Sequence, residues 1–298
     1  MESKKRTLLG VFAHPDDESY GPGGTLARYA REGVDVHVCI VTDGAAGSYD
    51  QEMLEGYASL AERRAEELSC AARALGVTLH TLGYRDSGME GSADNKHTDC
   101  LYQANLEDVA SDLVRLMCDV RPDVVITHDP TGGYFHPDHI RVNHAVTRAF
   151  ARVADADAYP ALRAEGYEPW QPQRLYFTAL PRTFLRWVIR FLRLLRKDPT
   201  RFGRNQDIDL TRLGAPDELI HVRINIAPYL AVKEAASACH ASQGGRGAMS
   251  GVVPALIRRR LIGFETFTQA YPPNPRPHND LFDGLQRQQA HPSSLPLG

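Results

Sequence analysis

His14-Pro15-Asp16-Asp17-Glu18 places one imidazole and three carboxylates within five positions. Far downstream, Tyr134-Phe135-His136-Pro137-Asp138-His139 repeats the His-Pro-Asp theme and adds a second imidazole three residues on. Two histidines and a carboxylate from separate loops are what a catalytic Zn2+ needs, because three protein ligands fix the ion and leave a position open for water. The metal lowers the pKa of that water to about 7, and a spare carboxylate beside it can accept the proton. Adjacent Asp16 and Asp17 in a tight turn must point in different directions, so one can bind metal while the other faces substrate. His136 and His139, if on one helical turn, face the same way, so one can bind metal while the other reaches a reacting carbonyl. His128 and His144 lie near the second cluster and compete with His139 as ligands. The same donor set also describes a non-haem Fe2+ triad. Either cluster alone reads equally well as a surface turn, since Asp and Pro are ordinary turn formers; their recurrence is what points to chemistry.

The surrounding pattern supplies the elements that would bring the clusters together. Leu8 to Phe12 is a compact apolar run, and the helical Thr25 to Glu32 follows after Gly21 to Gly24. Val36 to Thr42 is a second strand, and Tyr57 to Leu75 is a helix with Leu60, Arg64, Leu68 and Ala72 at fourfold spacing, closed by Gly76. Val77 to Leu82, Leu106 to Val120, Asp123 to Thr127 and His136 to Val153 continue as strand, helix, strand and helix. Such alternation implies an α/β, Rossmann-like, mostly parallel sheet with helices on both faces. In these sheets ligands sit beyond the carboxyl ends of the strands. The polar clusters His14 to Glu18, Asp43 to Ser48, Tyr84 to Gly88 and His128 to His139 all follow predicted strands, so they should converge on one edge. In the second half, Arg174 to Ala179 and Leu219 to Ile224 read as strands, and Ala227 to His240 and Val252 to Leu261 as helices closing over that edge. Residues 1–271 are expected to form one domain, and the Pro-, Asn-, Gln- and Ser-rich 272–298 a loose tail.

Ala13-His14-Pro15-Asp16-Asp17-Glu18 together with His136-Pro137-Asp138-His139 resembles the PIG-L/LmbE-like family of zinc-dependent N-acetylglucosamine deacetylases, which includes mycothiol and bacillithiol pathway enzymes. Further matches are Thr42-Asp43-Gly44, Arg64-Ala65-Glu66-Glu67-Leu68, Leu75-Gly76-Val77 and Arg85-Asp86-Ser87-Gly88-Met89. The likeness runs from about Leu8 to His144 and returns weakly at Lys233 and at Cys239-His240-Ala241-Ser242-Gln243. It implies that His14, Asp17 and His139 bind Zn2+ and that Asp16 is the general base; it disfavours an Fe2+ oxygenase but leaves room for Fe2+ in the same hydrolytic role. His136 would polarise the amide or stabilise the oxyanion, with Asp138 orienting it and Tyr134 a second candidate for that role. Arg64 and Asp86 match residues that contact sugar hydroxyls or appended groups. The implied reaction is hydrolysis of the N-acetyl group of an N-acetylglucosaminyl small molecule or glycoconjugate, releasing acetate and a free amine. Either Asp16 or His136 could protonate that amine. An amidase acting on a non-sugar thiol adduct would use the same metal chemistry. A nucleotide-binding module is disfavoured, because no Gly-x-Gly-x-x-Gly follows the first strand.

Composition fits a folded protein: 43% hydrophobic and 24% charged residues are near the globular average and far from a disordered chain. A net charge of −3 is too balanced for a general nucleic-acid coat. The apolar run behind the basic N-terminus is too short for a signal-peptide core, so a cytoplasmic protein is expected. Cys39, Cys70, Cys100, Cys118 and Cys239 are odd in number and contain no Cys-x-x-Cys pair, which predicts buried thiols rather than disulfides or a cysteine-built zinc site.

One segment is left unexplained by a deacetylase. From Arg182 to Lys197, basic residues at 182, 186, 190, 193 and 197 form a helical stripe among Phe184, Leu185, Trp187, Val188, Ile189, Phe191, Leu192, Leu194 and Leu195. The plainer expectation is a helix packed on the sheet or buried in a homo-oligomer contact. A cationic helix with a Trp- and Leu-rich face also suits a peripheral contact with an anionic membrane.

Overall fold

A strand that is buried along its whole length must be covered on both faces, and Thr7–Phe12 (β1) is such a strand. Its side chains alternate between two cores. Leu8 and Phe12 pack with Leu26, Leu68, Leu75 and Leu230 on one face, while Leu9 and Val11 pack with Val109, Leu113, Val142 and Val146 on the other. The structure is a computed structural model and describes residues 5–203, 206, 208–245, 262–273 and 276–285.

After β1 come α1 (Asp17–Tyr20), α2 (Gly23–Arg31), β2 (Asp35–Thr42), α3 (Leu60–Leu75), β3 (Thr78–Tyr84), α4 (Leu106–Val120) and β4 (Val124–Thr127). The chain continues through α5 (Gly132–Phe135), α6 (Pro137–Arg152), α7 (Pro160–Ala164), β5 (Arg174–Thr178) and α8 (Arg182–Leu194). It ends with β6 (Val222–Asn225), α9 (Leu230–Cys239) and β7 (Phe264–Tyr271). Among the described residues seven strands form one sheet in the order β3-β2-β1-β4-β5-β7-β6, parallel from β3 to β5 and antiparallel at β7 and β6. β1 is flanked by β2 on one side and β4 on the other, so the strand order reverses between β1 and β4. That is where an open α/β sheet leaves a crevice beyond its strand ends.

Most elements fall where the hydrophobic periodicity places them, and α4 has the predicted bounds. The helix expected from Tyr57 starts at Leu60, because Ser59 caps it by accepting the Glu62 N–H at 3.1 Å. Strand β7 has no counterpart in the sequence reading. The helix expected over 252–261 lies outside the described residues.

Three expectations are corrected. Part of the predicted loose tail is core: Leu281 and Phe282 are buried, and Asp280 accepts the Tyr29 hydroxyl at 2.8 Å. Cys70 and Cys239 form a disulfide between α3 and α9 across 169 residues, while Cys39, Cys100 and Cys118 are buried thiols. Spacing cannot reveal such a pair, because only the packing of α3 on α9 brings the two Cα atoms to 5.8 Å. Finally, α8 does not pack into the sheet; Leu185 is its one buried residue.

Candidate metal centre

The loop after β1 and the loop after β4 meet in the crevice. His14 Nδ1 lies 3.1 Å from His139 Nε2 and 3.6 Å from Asp17 Oδ2, and His139 Nε2 lies 3.4 Å from the same oxygen. Four-coordinate bonds of about 2.0–2.1 Å separate neighbouring ligand atoms by about 3.3 Å. The three donors therefore already stand at the spacing a small dication requires. The charge states of His139 and Asp17 suit the same role. Burial lowers the His139 pKa well below the usual histidine range, against the pull of Asp17, so its ring is neutral. Burial alone would raise Asp17, but His139 and His128 hold it well below the usual carboxylate range. The residues predicted as metal ligands are thus brought together, and their chemistry fits a dication such as Zn2+.

The alternatives do not compete equally. His128 stacks on His139, but its Nε2 accepts the Ala13 N–H at 3.0 Å and so has its lone pair engaged. His144 points to the exposed side of α6.

Around the three donors stands a ring of orienting groups. Asp138 Oδ2 lies 3.2 Å from His14 Nε2 and accepts the Ser87 N–H at 2.9 Å, while Asp86 Oδ1 lies 3.4 Å from the same ring nitrogen. A carboxylate on the far nitrogen fixes the tautomer that presents Nδ1 to a metal. Asp138 therefore orients a second ring besides His136. Its carboxylate orients His14, and only its backbone N–H reaches His136, donating to Nδ1 at 3.2 Å. That bond makes His136 the N-cap of α6 and leaves the ring proton on Nε2. Burial, with His14 nearby, pushes the His136 pKa down to about 3, so the ring is an uncharged hydrogen-bond donor.

Asp16 is held differently from its neighbour, as adjacent carboxylates in a turn require. Its backbone sits at φ 133°, ψ −26°, a conformation that non-glycine residues avoid and that persists only when its surroundings enforce it. Glu18 Oε2 accepts the Asp16 N–H at 3.0 Å, and Arg64 donates to Asp16 Oδ2 at 3.0 Å and to the Pro15 carbonyl. Arg64 also donates to the Gly44 carbonyl at 2.8 Å, and a Cβ at Gly44 would sit 2.6 Å from its guanidinium. Gly44 is therefore where the backbone must lie flat against Arg64. Burial pushes Asp16 up to about 7, opposed by Arg64 and reinforced by Asp17. A carboxylate poised near neutrality is suited to general-base work.

The late part of the chain braces this arrangement from behind. His240 Nε2 lies 2.7 Å from Glu18 Oε1, and Glu67 on α3 accepts both the N–H and the hydroxyl of Ser242. Gln243 joins His14, Asp16, Arg64, Asp86, Tyr134 and His136 in lining a cavity of about 200 Å³. Tyr134 packs edge-on against His136 and His139, and burial raises its phenol pKa, so the hydroxyl stays protonated. Arg64 and Asp86, predicted to meet substrate, line the cavity but are also tied inward. Both Asp86 oxygens accept backbone N–H groups, from Gly88 and Ala46. The bracing roles of Glu18, Glu67, His240 and Ser242 were not assigned from sequence, although the likeness at 239–243 marked that segment.

A family model described as "PIG-L: GlcNAc-PI de-N-acetylase" matches residues 9–150, the span from β1 to α6. A 1D-myo-inositol 2-acetamido-2-deoxy-alpha-D-glucopyranoside deacetylase of Thermobifida fusca is 37% identical over 292 residues, covering 93% of this chain and 97% of that protein. The chain belongs to the PIG-L family. Among solved structures, N,N'-diacetylchitobiose deacetylase from Pyrococcus horikoshii superposes with a TM-score of 0.59 at 21% identity, covering 89% of this chain and 84% of that one. The 4-carboxy-2-hydroxymuconate hydratase from Pseudomonas putida gives 0.56 at 17% identity, covering 91% of this chain and 98% of that one. The PIG-L fold thus carries more than one reaction, and the chemistry must be read from the site. In this PIG-L chain the family match contains all three candidate metal donors, whereas His240, Ser242 and Gln243 lie beyond it.

Proposed function

We propose that this protein is a metal-dependent N-deacetylase that hydrolyses the acetamido group of an N-acetylglucosaminyl conjugate whose acceptor is a small polyol such as inositol. The observation that carries the reading is the convergence of His14 Nδ1, Asp17 Oδ2 and His139 Nε2 within 3.1–3.6 Å beside a carboxylate, Asp16, poised near pH 7. The inositol acceptor rests on the name of the Thermobifida fusca relative, which is matched nearly end to end. A cavity of about 200 Å³ lined by Ser48, Arg64, Asp86 and Gln243 suits one sugar ring rich in hydroxyls.

A dication held by His14, Asp17 and His139, Zn2+ or Fe2+, would polarise the acetyl carbonyl and acidify a water. Asp16 takes a proton from the attacking water as its oxygen bonds to the acetyl carbon. The uncharged His136 donates from Nε2 to the oxygen that becomes negative, with the Tyr134 hydroxyl as a second donor. When the C–N bond breaks, Asp16 returns its proton to the departing nitrogen, leaving acetate and a free amine. His136 is assigned no part in that return, because a ring with its pKa near 3 carries no spare proton at neutral pH.

The test is acetate release by metal-loaded protein from N-acetylglucosaminyl-inositol, free N-acetylglucosamine and an N-acetylated cysteine thiol adduct. The inositol conjugate should turn over fastest. Faster release from the thiol adduct would replace the sugar reading with the amidase one, and no release from any of the three would remove both.

A further inference from the structure

The α8 helix is built as three sectors. Leu185 packs inward under Gly214, where an added Cβ would lie 2.8 Å from its Cδ1. On the outward side, Trp187 and Phe191 are 65% and 60% exposed and Leu194 is 78% exposed. With the half-exposed Leu195 just beyond the helix, these residues recur at intervals of four, three and one and form one apolar face turned away from the core. Beside that face runs the cationic stripe of Arg182, Arg186, Arg190, Arg193 and Lys197, all exposed. The guanidinium of Arg190 lies 5.5 Å from the centre of the Trp187 ring.

An apolar face of this kind needs an occupant, and the charge chooses among them. Between Arg182 and Lys197 there are six basic residues and no Asp or Glu, in a chain whose net charge is −3. A second copy meeting this face across a two-fold axis would set the arginine stripes against each other with no acid from the helix to offset them. An anionic lipid surface instead accepts the aromatic and leucine side chains among its acyl chains and the arginines at its headgroups. Among the described residues no helix is long and apolar enough to cross a membrane, so the contact would be peripheral. α8 follows β5, a strand parallel to β4, and therefore lies on the same strand-end edge as the candidate metal centre.

We propose that α8 is a docking helix for anionic membranes, holding the protein with its strand-end edge close to the lipid surface. The inference stands on the helix alone and holds whatever the substrate. Its test is co-sedimentation of the full-length protein with phosphatidylcholine vesicles and with vesicles in which about one third of the lipid is phosphatidylglycerol. The protein should pellet with the anionic vesicles, less so as salt rises, and Trp187 fluorescence should shift to the blue. Phe191→Glu with Leu194→Glu replaces side chains that touch water already, so it should leave the melting temperature unchanged while reducing vesicle partitioning by at least roughly tenfold. Parent protein that stays in solution with anionic vesicles would overturn the proposal, as would equal pelleting by the double variant. So would a concentration-dependent dimer that the double variant dissolves, which would give the face to a second copy.

Discussion

His240 Nε2 lies 2.7 Å from Glu18 Oε1, and neither residue has any exposed surface. The other Glu18 oxygen accepts the N–H of Asp16, so a residue late in the chain reaches the strained backbone of the proposed general base through one carboxylate. Burial alone would lower the His240 pKa, but Glu18 outweighs it and raises it, favouring a charged pair. Glu18→Gln and His240→Ala should therefore release Asp16 from its enforced geometry. A loss of roughly ten- to hundredfold in kcat is expected, with KM and bound metal little changed, since misplacing a reacting group by about 1 Å costs on that order. Steady-state kinetics with metal analysis checks this, and kcat within twofold of the parent would show that Asp16 does not need the brace.

The acid limb of the pH profile should belong to Asp16, which as the proposed base works only when ionised. With its pKa pushed up to about 7 by burial, kcat/KM should fall tenfold per unit below that region. Arg64 opposes the upward push, with its guanidinium 3.0 Å from Asp16 Oδ2. Removing that cation in Arg64→Gln must move the limb to higher pH, and Arg64→Lys should bring it part of the way back. Asp16→Asn should retain metal and lose about 10²–10⁴ in turnover. A limb that stays in place in Arg64→Gln would mean that another group sets it.

Asp138 and His136 sit two residues apart and should fail in different ways. Asp138 fixes the His14 ring from its far nitrogen, so Asp138→Asn should weaken metal affinity by about 10–100-fold. His136 faces the cavity as a neutral donor, so His136→Ala should keep the metal and lose about 10²–10³ in kcat. Burial alone would lower the His14 pKa, but Asp86, Asp138 and Asp17 raise it well above the usual value. Metal must then displace a proton, so affinity rises with pH up to the His14 pKa and uptake by apoprotein acidifies an unbuffered solution. Metal titration calorimetry in buffers of different ionisation enthalpy measures that proton. Uptake with no proton released would put the metal elsewhere.

The first half of the sheet, and the donors that it brings together as a candidate metal centre, were legible because each is a local signal. A buried parallel strand such as β1 reads as an unbroken apolar run, and His14, Asp17 and His139 come after such runs, Asp17 and His139 in the first turns of α1 and α6. What could not be read depends on long-range packing. β7 pairs antiparallel between β5 and β6, and no local pattern names those partners. Leu281 and Phe282 look like tail residues until Tyr29 of α2 is seen to hold the backbone N–H of Leu281. The second partner of Asp138 is hidden for a similar reason. Sequence proximity pointed it at His136, whereas the turn of α6 aims its carboxylate across the crevice at His14, 124 residues away.

The Cys70–Cys239 disulfide ties α3 to α9 at the position where each helix serves the site. Arg64 and Glu67 lie on α3 ahead of Cys70, and His240 and Ser242 follow Cys239 directly. The contacts from Glu67 to Ser242 bridge the same two segments as the disulfide, and His240 ties the second of them on to Glu18 of α1, so the covalent link and the hydrogen bonds act together on the same geometry. Thiol titration of the denatured, unreduced protein should accordingly find three free thiols, those of Cys39, Cys100 and Cys118. Cys70→Ser should cost about 2–4 kcal/mol of stability, because the unfolded chain is no longer constrained. It should also lower kcat with metal still bound, because the hydrogen bonds alone then position the 240–243 segment. Five titratable thiols would refute the link. A Cys70→Ser protein with lowered melting temperature and unchanged kcat would show that the polar contacts suffice to hold Asp16 in place.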